Sequence, residues 1–412
     1  MARIYADLGF DQTNLDLSLL YYDALETQFL NNHNVLNRGR VIEDLLVVVY
    51  ENQGTLAAVG LGGAGIRMIG DRITGGTLTN ISQVLSDGDD YQNHFEFDRI
   101  SLPLVEFYDS MLSFSRADDN RLIERALSGD DTFELSFQAD RAFGMAGNDT
   151  LYGFGGSDTL GGGSGRDAIH GGRGDDRLML DGQDDLLDGG LGRDWLAVRG
   201  DRAAQIDLAR TDRQDTGHGM DRILNIENLQ GGAGADRLSG DALANLIQGG
   251  GGADRLAGRR GGDLLVGQDG NDRLDGGIGA DLLEGGSGSD QLIGGLGADR
   301  LTGGLGGDVF VFRTLDDSRF AGRDIITDFN ARGDRIDLGA IDADLLAAGN
   351  NAFTLQIGGE LEPGRGGQLI ALRSVRGPAQ TDLLMDVDGD GQADAAVRLA
   401  GHHALTEANF IL

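Results

Sequence analysis

Residues 267–311 read GQDGNDRLD, GGIGADLLE, GGSGSDQLI, GGLGADRLT and GGLGGDVFV. In these five consecutive nonapeptides position 6 is Asp (Asp272, Asp281, Asp290, Asp299, Asp308) and position 8 is apolar (Leu274, Leu283, Leu292, Leu301, Phe310). Extended outward at the same period, the pattern gives fifteen units in two arrays, residues 144–197 and 231–311. Position 6 is Asp in fourteen of them and Asn245 in the other, while position 8 is Leu, Ile or Phe in all fifteen. A flexible glycine linker would not hold both columns in phase, so the period describes a repeated structural unit.

The unit has a physical reading. Positions 1 to 6 carry turn chemistry, with glycines supplying positive φ and close backbone approach. Positions 7 to 9 form a minimal strand whose position-8 side chain faces inward. Two nonapeptides make one coil with strands on opposite sides, and stacked coils build two parallel sheets around a column of Leu and Ile. One unit cannot bury its apolar side chain alone, so stability comes from stacking. Stacking also superimposes position 6 of units n and n+2, about one strand spacing (roughly 4.8 Å) apart. Two carboxylates at that separation repel by about 1 kcal/mol in water and more in a drier site. A cation between the turns reverses the sign, and carboxylate plus carbonyl oxygens suit Ca²⁺ better than the strictly octahedral Mg²⁺.

Composition points the same way. The 412 residues include 70 Gly, no Cys, no Lys, 55 Asp against 12 Glu, and a formal net charge of −33. Asp is short, turn-favouring and a hard-cation ligand, so its excess over Glu indicates ion ligands on loops. Of the glycines, 46 fall in residues 129–311. The acidic balance excludes a nucleic-acid partner, which needs clustered bases. No apolar run is long enough for a transmembrane segment. The first residues, Met1 to Asp7, lack the hydrophobic core of a signal peptide. Absence of Cys removes disulfides and thiol chemistry.

The nonapeptides closely resemble the RTX calcium-binding repeats of type I secreted proteins. The region after them, Asp324-Ile325-Ile326-Thr327-Asp328-Phe329 and Gly333-Asp334-Arg335-Ile336-Asp337-Leu338, resembles the segment that closes the roll in serralysin-type proteins. The resemblance implies a parallel β-roll that binds several Ca²⁺ ions and folds on them after export through the type I secretion machinery, hence a secreted, extracellular protein. It implies metal ligands at Asp149, Asp158, Asp167, Asp176, Asp185 and Asp194 in the first array. In the second array it implies Asp236, Asp254, Asp263, Asp272, Asp281, Asp290, Asp299 and Asp308, each acting with its counterpart two units on. Three units depart from the pattern and are expected to hold weak or vacant sites. Unit 180–188 has Gln183 at position 4 and no Gly-Gly start; unit 240–248 has Leu243 and Asn245; unit 258–266 puts Arg259 and Arg260 on the turn.

A further candidate is Asp386, Asp388, Asp390 and Asp394, in Asp386-Val387-Asp388-Gly389-Asp390-Gly391-Gln392-Ala393-Asp394. The acids and Gly391 match the start of an EF-hand loop, but position 12 is Val397 rather than Glu, so an acidic turn without an ion is the alternative. The end, Ala408 to Leu412, resembles the acidic-plus-hydrophobic export terminus of type I substrates, with Asn409 where Asp is common.

The expected organisation is a small α+β domain of unknown role over residues 1–128 and a first roll block over 129–197. Irregular connecting coils over 198–230, a second roll block over 231–311 and a capping and export region over 312–412 follow. In the first region the pattern predicts a helix over Asp16–Leu30 and strands over Val41–Tyr50, Leu56–Leu61, Gly65–Ile69, Thr77–Val84 and Phe95–Leu102. Helices are predicted over Leu104–Leu112 and Asp118–Leu127. Gly60-Leu61-Gly62-Gly63-Ala64-Gly65 satisfies a dinucleotide-binding pattern, but no helix pattern follows, so it reads as a hairpin turn.

No His-Glu-x-x-His, nucleophile elbow or Walker loop occurs, so the serralysin-type protease motif is absent. Trp195 reads as a lone surface aromatic, with a sugar-stacking platform as the alternative. The leading functional reading is a non-enzymatic secreted calcium-binding protein. Two others stay open: a cell-surface or matrix component that meets its partner through residues 1–128, and a hydrolase whose active site lies there.

Overall fold

The structure is a computed structural model that describes residues 128–319, 322–344, 351–374 and 378–412 in full, and in residues 1–127 the backbone of the strands only. The chain forms two compact units, Met1–Trp195 with His218–Ile226, and Leu196–Gly217 with Glu227–Leu412.

The first unit begins with β1 (Arg3–Ala6), β2 (Ala24–Leu30), β3 (Val35–Asn37), β4 (Arg40–Ile42), β5 (Asp44–Asn52), β6 (Thr55–Ile69), β7 (Arg72–Ser86) and β8 (Tyr91–Pro103). Neighbouring strands in the order β2-β5-β6-β7-β8-β1 pair antiparallel. β1 then pairs in parallel with β9 (Thr132–Glu134), matching Ile4 to Phe133, and so joins this meander to the first coil. From there the sheet is parallel and advances by coils, with Phe133, Leu151, Ile169, Leu187 and Ile223 in register. Ala142, Leu160 and Leu178 form the facing column.

Two expectations for the N-terminal region are corrected. Of the expected helix Asp16–Leu30, the part over Ala24–Leu30 is a strand, paired with β5 through Phe29↔Leu46 and Leu30↔Leu45, and residues 16–23 lie outside the described residues. A short apolar run is ambiguous between helix and strand, and a sheet edge decides it through pairing that periodicity cannot register. The Gly60–Gly65 run is not a hairpin turn. It lies inside β6, where register shifts fall between Gly62 and Gly63 and between Ala64 and Arg67. Glycines in a strand commonly mark such bulges. The expected strands all fall on β4 to β8, with Val41–Tyr50 divided between β4 and β5. The helices expected over 104–112 and 118–127 lie outside the described residues.

The second unit is a parallel solenoid in its own right. One column runs Ile206, Leu238, Leu256, Leu274, Leu292, Phe310, Ile336 and Phe410. The other runs Leu229, Ile247, Leu265, Leu283, Leu301, Ile326 and Leu399. All but Ile206 and Phe410 are at most 1% exposed, and burying a side chain of this size contributes about 1.5–3 kcal/mol. The segments expected to close the roll are further coils of the same sheets. Beyond them Gln380–Asp386 and Ala395–Ala400 form an antiparallel hairpin whose second strand pairs with Ile325–Ile326. Phe410–Ile411 is a final strand beside Ile336 and Asp337.

The repeat strands are longer than the three residues read from the sequence. Arg255–Arg260, Arg273–Ile278 and Leu282–Ser287 cover positions 7 to 9 and then positions 1 to 3 of the next unit. Glycines at positions 1 and 2 therefore stand within the strands, and the turn proper is positions 4 to 6. Among the described residues no helix is long and apolar enough to cross a membrane.

Candidate metal centre

Each position-6 Asp sits at the corner where a turn enters a strand. In ten of the fourteen its backbone N–H donates to Oδ1 of the position-6 Asp eighteen residues later, so the carboxylate of one coil caps the backbone of a neighbouring coil. Asp149 to Asp167, Asp158 to Asp176, Asp167 to Asp185, Asp254 to Asp272 and Asp263 to Asp281 make this bond at 2.8 Å. Asp176 to Asp194 and Asp236 to Asp254 make it at 2.7 Å. Asp272 to Asp290 and Asp281 to Asp299 make it at 2.8 Å, and Asp290 to Asp308 at 2.9 Å. All ten residue pairs named from the sequence are thus neighbours, and Asn245 donates in the same way to Asp263 at 2.8 Å.

The second carboxylate oxygen has a different environment. Oδ2 of Asp149, Asp158, Asp167, Asp176, Asp254, Asp263, Asp272, Asp281, Asp290, Asp299, Asp308 and Asp324 is buried and has no hydrogen-bond partner. In all of these but Asp324 it packs against the position-1 glycine of its own unit. A Cβ on Gly285 would lie 2.4 Å from Oδ2 of Asp290 and 2.5 Å from the Gly303 carbonyl oxygen, and Gly267 faces Asp272 and Gly285 O in the same way. In the regular units position 1 is therefore glycine to make room for the carboxylate, not to bend the chain. Position 4 has positive φ, as at Gly279 (158°) and Gly297 (153°), which meets the turn reading directly.

An unpaired carboxylate in such a place is strongly disfavoured. Burial, reinforced by stacked neighbours, pushes Asp149 and Asp158 up to about 8, Asp254 and Asp299 to about 7, and Asp281, Asp290 and Asp308 to about 6. The raising charges are other carboxylates: Asp176 and Asp140 for Asp158, Asp272 and Asp236 for Asp254. Columns of oxygen ligands, with a buried carboxylate oxygen lacking a donor in eleven of the repeat units, fit a hard cation by both charge and ligand type.

Five rungs lie outside the fifteen glycine-rich units. Asp131 donates to Asp149 and Asp140 to Asp158, each at 2.8 Å. Asp185 donates to Asp221 at 2.8 Å and Asp299 to Asp324 at 2.9 Å, while Asp308 donates to Asp334 at 3.0 Å. Insertions separate the last three from their partners by 36, 25 and 26 residues, so a fixed period misses them. The usable signal is the triplet Asp-x-apolar, present as Asp131-Thr132-Phe133, Asp140-Arg141-Ala142, Asp221-Arg222-Ile223, Asp324-Ile325-Ile326 and Asp334-Arg335-Ile336.

The departing units resolve individually. Arg259 turns from the carboxylate column and binds Asp207 through two bonds of 2.7 and 2.8 Å, leaving Asp263 Oδ2 without a partner. Asn245 gives its Nδ2 to the Glu227 carbonyl at 2.8 Å and so replaces charge with a neutral bond. Trp195 is half-buried, with the Arg177 guanidinium 6.0 Å over its ring.

The acidic loop 386–394 is the connection of the Gln380–Asp386 and Ala395–Ala400 hairpin. Asp386, Asp388 and Asp394 each bring a carboxylate oxygen within 4.8 Å of the others, and Asp390 stands outside that group. These carboxylates close their own turns. Asp386 accepts from Gly389 N–H at 2.8 Å, Asp388 from Asp390 N–H at 3.0 Å, Asp390 from Gln392 N–H at 2.7 Å, and Asp394 from Val387 N–H at 2.8 Å. Val397 is fully buried in the following strand and offers no ligand.

Comparison with known proteins places these features. The family described as peptidase M10 serralysin C terminal matches residues 126–412. No curated protein matches the chain. Among solved structures, the chain is similar to the AlgE6R3 subunit of the Azotobacter vinelandii mannuronan C5-epimerase. Identity is 28%, coverage 43% of this chain and 78% of that one, and the TM-score 0.21. For the AlgE6R2 subunit of that epimerase the figures are 28% identity, 42% and 91% coverage, and a TM-score of 0.26. The extracellular lipase LipA from Serratia marcescens is 21% identical, with 76% of this chain and 51% of the lipase covered and a TM-score of 0.21.

Proposed function

This chain belongs to the peptidase M10 serralysin C-terminal family, and from that premise we propose that it is a secreted, non-enzymatic calcium-binding protein whose β-roll folds when Ca²⁺ enters the carboxylate columns. The observation that carries this reading is the row of buried Oδ2 atoms without partners at Asp149, Asp158, Asp167 and Asp176 and again at every repeat from Asp254 to Asp308. Without a cation each such oxygen must be protonated or leave its site. With one, the same oxygens become ligands.

The residues that would hold calcium are the position-6 aspartates from Asp149 to Asp194 and from Asp236 to Asp308, joined by the carbonyl oxygens that crowd the position-1 glycines. Asp386, Asp388 and Asp394 are a further candidate, with Asp390 nearby. Bound calcium supplies the positive charge that two stacked carboxylates lack. Each independent site held at a free concentration one hundred times its Kd stabilises the folded chain by about 2.7 kcal/mol. Several sites filled together would account for the whole stability of a roll this size, usually about 5–15 kcal/mol.

Conditional folding suits export. In a low-calcium interior the carboxylates repel and the chain stays extended, as passage through a type I channel requires. Outside, calcium closes the turns and opposes return. The test is far-UV circular dichroism of the full chain with calcium titrated from excess EGTA, together with calorimetric stoichiometry. A cooperative gain of sheet with several ions bound is expected. A chain fully sheet-rich in EGTA at neutral pH, taking up no calcium, overturns the reading.

A further inference from the structure

Unit 180–188 looks defective in sequence because Leu180 and Asp181 replace the Gly-Gly start. It carries Asp181, Asp184 and Asp185 on one turn. Leu180 is 2% exposed and extends the apolar core. Asp181 turns toward the carboxylate column. One oxygen each from Asp167, Asp181 and Asp185 lies within 4.8 Å of the other two.

Two further observations separate this cluster from a chance gathering of acids. Asp167 is 4% exposed, and its Oδ2 has no hydrogen-bond partner. Asp181 uses Oδ2 to accept the Gly163 N–H at 2.7 Å, its Oδ1 is buried, and its carboxyl faces that of Asp185 closely enough for the two to share a hydrogen bond when one is protonated. Gln183 holds the turn from the other side, with its side-chain oxygen accepting the Gly165 N–H at a backbone φ of 101°. The neighbouring guanidinium of Arg166 is directed at Asp184, 3.0 Å away. The charged groups that bear on Asp181 and Asp185 are themselves carboxylates, including Asp167 and Asp221.

We infer that Asp167, Asp181 and Asp185 form a three-carboxylate site for a divalent cation, tighter than the two-carboxylate positions of the regular repeats, and the first to fill. Charge count among oxygen ligands is a principal determinant of calcium affinity, and a third carboxylate raises it here by one. The inference rests on the calcium reading above and adds to it an order of filling, beginning in the first unit.

The test uses the full chain and calcium alone. Calorimetry of the native protein should show one site at least about tenfold tighter than the remainder, as expected for an added charged ligand. Asp181→Asn should move that site into the weaker class and leave the remaining sites in place. Asp281→Asn, in a regular repeat, should lower the weaker class and spare the tight site. A tight class unaffected by Asp181→Asn, or a single class throughout, overturns the three-carboxylate site while leaving the calcium reading intact. No calcium uptake by the native chain overturns both. Anomalous diffraction from calcium-loaded native crystals decides the matter independently of how the variant folds. A peak among the three carboxylates is required, and none at saturating calcium overturns the inference.

Discussion

The backbone N–H of Asp272 donates to Oδ1 of Asp290 at 2.8 Å, while Oδ2 of Asp290 is buried with no donor against Gly285. One carboxylate thus has two jobs. Oδ1 locks coil to coil, and Oδ2 creates a requirement for positive charge. The repeat unit needs Asp at position 6 for both reasons, and Asn meets only the first.

Asp281→Asn tests that division. Asn keeps the Oδ1 acceptor for Asp263 N–H, now at 2.8 Å, and removes a buried charge. The variant should show more sheet than the native chain in EGTA, bind less calcium, and need several-fold more calcium to reach its folding midpoint. Asn245→Asp, at the one unit that already lacks the charge, should raise the stoichiometry. Parallel dichroism and calorimetric titrations read both effects.

Gly285→Ala tests the steric role of position 1. Its Cβ would meet Asp290 Oδ2 at 2.4 Å and the Gly303 carbonyl at 2.5 Å, so both the turn and the ligand must shift. A loss of about 1–3 kcal/mol is expected from overpacking of this kind, with weaker calcium binding. Gly182→Ala, where a Cβ would meet nothing within 4 Å, should be close to neutral. Urea unfolding in saturating calcium distinguishes them.

The calcium-free chain should be stabilised by acid. Burial raises the carboxyls above their ordinary value of 3.8, to about 6 for Asp281 and about 8 for Asp149, and to about 9 for Asp324. A group whose folded pKa is raised contributes stability that is fully present below its unfolded pKa and lost as pH rises through the folded value. In EGTA, sheet content should therefore be higher at pH 5 than at pH 8. Calcium affinity should move the opposite way, falling at pH 5 because protons compete for the same oxygens. Dichroism at the two pH values, with and without calcium, checks both signs.

Leu274→Ala tests the column. Leu274 is fully buried between Leu256 and Leu292, and its truncation should cost about 2–5 kcal/mol. Leu305→Ala, at a position 76% exposed, should change stability by less than about 0.5 kcal/mol. Denaturation midpoints in calcium measure both.

Much of this was legible in the sequence. Asp272 and Leu274, two residues apart and repeated at nine, are enough to place an acid at a corner and a leucine inside, because stacked coils impose the same environment at the same phase. Asp324 and Asp334 were not legible at that period, since the inserted residues before them, which include a short 3-10 helix over Leu315–Ser318, shift the count while the strand pairing continues. Ala24–Leu30 was misread for another reason. Its partner is β5, and no local pattern records which distant edge a segment will meet.

The sequence by itself determined the coil, its inward column and the line of carboxylates, because a short-period repeat makes each unit its neighbour's environment. Only the tertiary structure decided how the two oxygens of each carboxylate are divided. It also decided that position 1 is glycine to admit one of them, and that Asp181 turns in toward Asp167 and Asp185. Those outcomes depend on contacts between turns that are eighteen residues apart in the chain and about one strand spacing (roughly 4.8 Å) apart in space, and a linear period gives the neighbours but not the direction in which each atom points.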